Sequence, residues 1–116
     1  MVIRKNQTTK IAATPGNIIW DYPMPSEDHG VSYQELDGPI PETGWYRNTV
    51  CHELFYIIEG TATMFIDDKK YEAGPGDAVI LTPNQKHKGV YHQTKMITVT
   101  SPNWYEKQCE RVEDTS

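Results

Sequence analysis

Apolar residues recur along this chain in short runs that turn residues separate. The runs are rich in β-branched and aromatic residues, and a turn signal follows about every eight to twelve residues. This spacing is typical of a sandwich or a barrel. The pattern therefore predicts an all-β protein with strands at NIIWDY, GVSYQEL, HELFYIIEG, TATMFID, KKYEAG, DAVILTP, HKGVYH and KMITVTS.

Turn chemistry and composition organise the chain further. The segment IDDKKY predicts a hairpin with Asp67 and Asp68 near its tip. The segment NWYEKQCERVED predicts at most a short C-terminal helical turn, which would start near Asn103. We find no internal repeat, so we expect one domain over residues 1–116. Its barrel core would span about 30–102, with arms that pack on the barrel or on a partner subunit.

Length and charge argue against several classes of protein. A chain of 116 residues can bury a core without disulfide bonds. Its formal net charge of −5 argues against a nucleic-acid-binding surface, which needs basic patches. No apolar stretch approaches the roughly 18 residues that cross a bilayer, and the start of the chain is polar rather than signal-like. Cys51 and Cys109 form no CxxC pair, so we expect a reducing, cytoplasmic setting.

Two segments carry recognisable spacings. In RNTVCHELFYIIEG, Glu53 is followed by six residues and then by Gly60. After the fifteen residues 61–75, Gly76 precedes DAVIL, and His87 follows shortly in TPNQKH. These residues resemble the two motifs of the cupin superfamily, with Thr-Pro-Asn where the family usually has Pro-x-Gly. The resemblance implies a cupin jelly-roll β-barrel of the double-stranded β-helix type.

The same resemblance implies where a metal site would lie. In the family, two histidines of the first motif, its glutamate and the histidine of the second motif converge on one metal ion. Glu53 and His87 stand at two of these four positions. The fold alone does not define a reaction, because cupins carry many unrelated activities.

The two remaining ligand positions hold no histidine. Counting three residues back from Glu53 places them at Arg47 and Thr49, and counting four places them at Tyr46 and Asn48. The resemblance therefore implies a degenerate metal site, whichever spacing applies.

Strand alternation favours the first of these two spacings. If Glu53 points into the barrel, then Cys51, Thr49 and Arg47 share its face, because side chains alternate with period two. His87 would face this row from a neighbouring strand, and Tyr46 would lie at the entrance. The expected substrate-binding residues are therefore Arg47, Thr49, Cys51 and Tyr46.

A metal ion and an arginine are alternative partners for the buried carboxylate. Glu53, His87 and a Cys51 thiolate, completed by water, would form a tetrahedral zinc site. Glu53 and His87 with waters could instead hold iron, manganese or nickel weakly. Alternatively, Arg47 pairs with Glu53 and replaces the missing ion electrostatically. We therefore expect either no cofactor or a weakly held divalent metal.

Three functions remain open on these residues. In the first, His87 and Glu53 catalyse non-redox isomerase, epimerase or lyase chemistry, and Arg47 orients a carboxylate or phosphate. The second is a metal-dependent enzyme that uses Glu53, His87 and Cys51. The third is a non-catalytic module. The first is preferred, with a small polar or anionic metabolite bound in the barrel.

The resemblance also implies a homodimer. A short jelly roll exposes strand edges and one sheet face that must be covered or charged, and small cupins usually dimerise through that face. The outward residues Leu54, Tyr56 and Ile58 are the candidates for this contact.

Overall fold

The structure, a computed structural model, describes residues 1–114 and consists almost entirely of antiparallel strands. Within this range the only helical segments are 3-10 turns at Lys5–Gln7 and Glu106–Gln108, so no described helix is long enough to cross a membrane. The predicted all-β jelly-roll fold is confirmed. The described strands are β1 (Thr9–Thr14), β2 (Asn17–Tyr22), β3 (Gly30–Ile40), β4 (Trp45–Asn48), β5 (His52–Ile66), β6 (Lys69–Ala73), β7 (Ala78–Leu81), β8 (Lys86–Ser101) and β9 (Cys109–Val112).

Two long strands, β5 and β8, connect the walls of the barrel. They pair from His52 opposite Ser101 to Ile66 opposite His87. Strands β3, β2 and β1 extend the sheet from β8, while β4 pairs with the first residues of β8 and carries β9 at its other edge. The start of β5 pairs with β7, and its end pairs with β6. The chain therefore curls into a barrel that shares these two strands between its walls.

Both long strands change the face that they bury at the same level of the barrel. In each strand the buried residues are odd-numbered before this level and even-numbered after it. Gly60 in β5, with φ of +80°, and Gln93 in β8, with φ of +43°, lie at the change, where the pairing register also shifts. Because such irregularities bend a strand, they carry β5 and β8 from one wall to the other.

The apolar core is one cluster contributed by both walls. Its side chains are at most 8% exposed, so substitutions that change the volume of a side chain there are poorly tolerated. Half of them also border the cavity described below, so the cavity lies directly against the core. The cluster comprises Leu36, Ile40, Phe55, Ile57, Ala62, Met64, Val79, Leu81, Tyr91 and Met96.

Two tight turns help to position the site. The predicted hairpin is present between β5 and β6, with Asp67 at φ of +51° and its Oδ1 atom accepting a hydrogen bond from the Lys86 backbone N–H. Asn84, at the position of the usual family glycine, has φ of +74°, a conformation that asparagine tolerates better than most residues. Its N–H donates to the Asn48 carbonyl over 2.7 Å, which ties the second motif to the end of β4.

Candidate functional site

A cavity of about 610 Å³ lies inside the barrel. Its volume suits a small metabolite, since ligand pockets span roughly 300–1,000 Å³. Apolar side chains such as Phe55 and Met96 line one part of it, and hydrogen-bonding side chains line the rest. This mixture of an apolar surface and a few polar groups is typical of a small-molecule site.

The four positions that bind metal in the family all face this cavity. They correspond to the second of the two spacings considered above, and they hold Tyr46, Asn48, Glu53 and His87. Tyr46 and His87 are directly opposed on β4 and β8, with their ring centroids 6.2 Å apart. The barrel has therefore kept the convergence of these positions while carrying different side chains at two of them.

Asn48 is the centre of the hydrogen-bond network in the site. Its Nδ2 donates to Glu53 Oε1 over 3.0 Å. Its Oδ1 accepts from Gln108 Nε2 over 2.8 Å and from Trp104 Nε1 over 3.3 Å. Because the amide oxygen is already engaged by two donors, the amide group of Asn48 is held with its NH₂ toward Glu53.

The expected inward positions of Arg47 and Thr49 are wrong. Arg47 pairs with Glu110 on β9 over 2.8 Å, rather than with Glu53. The Thr49 hydroxyl donates to the Gln108 carbonyl over 2.6 Å, outside the cavity lining. The reason is a bend at Thr49 and Val50, which separates β4 from β5. Alternation cannot be extended from Glu53 back across such a bend, so the face that β4 turns inward changes by one residue.

Cys51 also lies outside the cavity lining. Its side chain is fully buried, and its Sγ contacts the Pro102 carbonyl oxygen at 3.5 Å. Burial, and after it the nearby Glu53 carboxylate, raise the pKa of the Cys51 thiol. A thiol in this state is a poor metal ligand or nucleophile, because both roles require the thiolate.

Many lining residues were not predicted from the sequence, and Arg111, Cys109 and Tyr91 are three that lie close to the family positions. Strand β9 pairs with β4, which places Arg111 opposite Tyr46 and Cys109 opposite Asn48. Arg111 lies over the Tyr46 ring at 5.3 Å and donates to the Thr43 carbonyl over 2.7 Å. Tyr91 borders the cavity from the core. The alternation of "CERV" was a weak signal for a strand, but nothing local indicated its partner.

Burial in the cavity shifts the pKa values of Glu53 and His87 in opposite directions. Burial raises the pKa of Glu53 to about 7, although the hydrogen bond from Asn48 favours the carboxylate. Burial lowers the pKa of His87 to about 4, so the imidazole is neutral at neutral pH. Burial and the Glu53 charge raise the pKa of Tyr91, so its phenol stays protonated. Of these three groups, Glu53 is therefore the one whose charge changes near neutrality.

The residues present do not fit a tightly held metal ion. Glu53 and His87 are the only side chains at the four family positions that bind metals readily, and the Asn48 oxygen is occupied by two donors. Within residues 1–114, no three His, Cys, Asp or Glu side chains come together in an arrangement that could hold a metal. The donor set of Glu53, His87 and Cys51 considered above is thus not assembled around the cavity.

The comparison with protein families agrees with this architecture. A family model described as "Cupin domain" matches residues 36–100. The chain belongs to the cupin family. This cupin is also 29% identical over 76 residues to an uncharacterized protein of Methanocaldococcus jannaschii. That alignment covers 63% of this chain and 61% of the length of the relative.

Solved structures with the same fold include several enzymes. Pac13 of Streptomyces, described as a nucleoside dehydratase, has a TM-score of 0.86 at 14% identity over 100% of this cupin and 93% of that chain. KdgF of Halomonas sp. has a TM-score of 0.72 at 17% identity over 85% and 92% of the two chains. Ectoine synthase of P. lautus also has a TM-score of 0.72, at 15% identity over 100% and 93%. At these identities the likeness shows the fold alone.

Proposed function

We propose that this cupin binds a small polar metabolite in its barrel and acts on it by non-redox, metal-independent acid–base chemistry. The observation that carries the proposal is the replacement of two family ligand positions by Tyr46 and Asn48 around a cavity that keeps Glu53 and His87. The hydrogen bond from Asn48 to Glu53 holds the carboxyl group in a fixed orientation toward the cavity without a metal ion. The reaction class is that of isomerases, epimerases and lyases, including dehydratases.

Each residue of the site has a distinct role in this proposal. Glu53 transfers the proton, because a pKa of about 7 is close to the optimum for a general acid or base at neutral pH. Asn48 positions its carboxyl group. His87, neutral and facing the same cavity, forms a hydrogen bond to the substrate rather than carrying a charge. Tyr46 contacts the substrate beside His87.

The charges around the cavity favour a ligand that is polar without being strongly anionic. Arg111 is a cation in the lining, and Glu53, Asp21 and Glu106 are acidic groups there. The expected anion-binding role of Arg47 has no support, since its guanidinium pairs with Glu110. Pac13, which matches the full length of this cupin, was solved with uridine, so uridine is our first probe.

The proposal predicts that ligand binding does not depend on metal. Protein purified without chelator should contain far less than one divalent ion per chain by mass spectrometry. Uridine and a panel of small sugars and hydroxy acids should bind equally well by calorimetry with and without EDTA. For a ligand that is also converted, Glu53→Gln should lower turnover by roughly 10²–10⁴-fold, the usual contribution of a general acid or base.

The controls for this experiment use the outward residues. Arg47→Gln should leave binding and turnover unchanged, because the Arg47 side chain contacts Glu110 rather than the cavity. Near-stoichiometric metal that Glu53→Gln and His87→Gln both remove would contradict the proposal and favour a metal-dependent enzyme. Binding without any conversion across the panel would instead support a non-catalytic binding module.

We also propose that the protein is a homodimer. Apolar side chains form a patch on the outer face of β5, β7 and β8, where Leu54 is opposite Ile80 and Val99, and Tyr56 is opposite Ile97. Several are strongly exposed for their type, including Ile80 at 53% and Tyr56 at 46%. Contiguous apolar surface of this kind is typical of a protein contact.

The dimer proposal is tested by light scattering after size-exclusion chromatography. The wild-type protein should have twice the mass of one chain, and Ile80→Glu should shift it to a monomer, because a charge in an apolar contact is desolvated without a partner. Tyr71→Glu is the matched control, since Tyr71 is 47% exposed on β6, outside the patch. A wild-type monomer would exclude the dimer.

A further inference from the structure

One wall of the cavity is polar where a barrel wall is ordinarily apolar. Ser32 and Gln34 on β3, and Thr98 and Thr100 on β8, all face inward and line the cavity. Each is at most 9% exposed. Buried positions are usually occupied by apolar side chains, and buried polar groups are costly unless they are hydrogen-bonded. The polar groups of such a wall therefore need hydrogen-bond partners, either in the protein or in a ligand.

The hydrogen bonds along this wall leave specific groups free. Gln34 Nε2 donates to Ser32 Oγ over 3.2 Å and to Thr98 Oγ1 over 3.0 Å. Both hydroxyl oxygens therefore act as acceptors and retain their own hydrogens to donate. Within residues 1–114, no acceptor for these two hydroxyl hydrogens and no donor to Gln34 Oε1 is present. The wall thus presents two donors and one acceptor to the cavity.

A carboxylate extends the same row. Asp21 on β2 is directly opposite Ser32, and Ser32 is directly opposite Thr98, so the three side chains form one line across three strands. Side chains opposed in this way are about 5 Å apart. Asp21 also lines the cavity. It adds an acceptor for hydroxyl groups and repels an anionic group.

The row leads directly to the proposed proton-transfer group. Thr100, the next inward residue of β8 after Thr98, is opposite Glu53 on β5. A molecule that lies along the wall would therefore reach the Glu53 carboxyl group with its far end. Among the described residues, β5 carries no comparable row of polar side chains, since the buried Phe55 and Ile57 continue from Glu53.

We propose that this wall is a polyol subsite, which binds adjacent hydroxyl groups of a sugar or a sugar-bearing ligand. Ser32 and Thr98 donate to ligand oxygens, while Asp21 and Gln34 Oε1 accept from ligand hydroxyls. Because every hydroxyl group both donates and accepts, a polyol can pair with the donors and with the acceptors of this wall. An ionised phosphate or carboxylate can only accept, so it leaves Asp21 and Gln34 Oε1 without a donor. The inference rests on the proposed function, since the polyol is part of the ligand on which Glu53 acts.

Paired ligands and paired variants test the subsite. Calorimetry with uridine and 2′,3′-dideoxyuridine measures how much the ribose hydroxyl groups contribute to affinity. D-ribose and myo-inositol test binding of a polyol alone, and uracil tests binding of the base alone. We expect uridine to bind at least tenfold more tightly than the dideoxy compound. Thr98→Val should weaken uridine binding about tenfold and reduce that preference, because it leaves a ligand group unpaired.

The matched control is another buried threonine of the same strand. The Thr94 hydroxyl donates to the Thr61 carbonyl over 2.6 Å and does not line the cavity. Thr94→Val should therefore cost stability while leaving the uridine preference intact. This comparison separates a binding role of Thr98 from a general effect of removing a buried hydroxyl.

Each other outcome is decisive. Equal affinity for uridine and its dideoxy analogue, or an unchanged preference in Thr98→Val, would overturn the subsite. If uracil binds as tightly as uridine, and D-ribose and myo-inositol do not bind, the subsite is wrong but the proposed function survives. If neither these probes nor the wider panel enters the cavity, both the subsite and the proposed function are wrong.

Discussion

Glu53→Gln is expected to gain about 3 kcal/mol of stability relative to the wild type as the pH rises from 4.5 to 7. Burial raises the pKa of Glu53 from an ordinary 4.5 to about 7. Between these values the folded wild type holds a proton that the unfolded chain has lost. The stabilisation from the neutral acid is therefore present below pH 4.5 and is lost as the pH rises through 7, whereas glutamine has no such dependence.

Urea unfolding at a series of pH values measures this difference. His87 acts in the opposite direction, because its pKa falls from 6.5 to about 4 on folding, so its contribution is lost as the pH drops through this range. The effect of His87 is common to both proteins and cancels when they are compared. His87→Gln serves as the control, and its difference from wild type should have the opposite slope. A flat difference for Glu53→Gln would mean that the carboxyl group titrates normally and is a poor acid for the proposed chemistry.

Gly60→Ala is expected to cost at least about 3 kcal/mol, or to prevent folding, because it combines backbone strain with a steric clash. Gly60 has φ of +80°, which alanine adopts poorly. A Cβ atom there would lie 2.5 Å from the His92 carbonyl oxygen, and still nearer to that of Gln93. Neither backbone oxygen can move without disturbing the bend of β8.

The control for this variant is Gly74→Ala. Gly74 has no positive φ, and a Cβ atom there would meet nothing within 4 Å. Thermal or urea unfolding should therefore show little change for Gly74→Ala. Similar small effects for both alanine variants would contradict the view that the paired irregularities in β5 and β8 close the barrel.

Strand identity was largely accessible from the sequence, because it depends on local composition. The segment NIIWDY corresponds to β2, and the turn at Asp67 and Asp68 lies where the hairpin was predicted. The sequence was a weaker guide to where one strand ends and the next begins. HELFYIIEG and TATMFID form one strand, β5, because Gly60 bends the chain without ending the pairing. Strand β9 was read as a helical segment, since its pairing with β4 is a long-range contact that its own residues do not encode.

The site was only half predictable for the same physical reason. Glu53 and His87 are fixed by motif spacing, and the structure places both on the cavity. The face of β4 depends on the bend at Thr49 and Val50, which Gln108 stabilises: its Oε1 accepts from the Val50 and Cys51 N–H groups over 3.2 and 3.0 Å. A residue nearly sixty positions away in the chain thus decides whether Asn48 or Arg47 faces the cavity.

The dependence of Asn48 on Gln108 and Trp104 also has a consequence for how far the chain can be shortened. Both residues follow β3, β5 and β8 in the chain, so a chain that ends before Trp104 keeps the long strands that pair across the barrel. It loses β9 and both donors to the Asn48 amide oxygen. Such a shortened protein would therefore keep most of the strand pairing while the Asn48 amide, and with it the Glu53 carboxyl group, is no longer held in place.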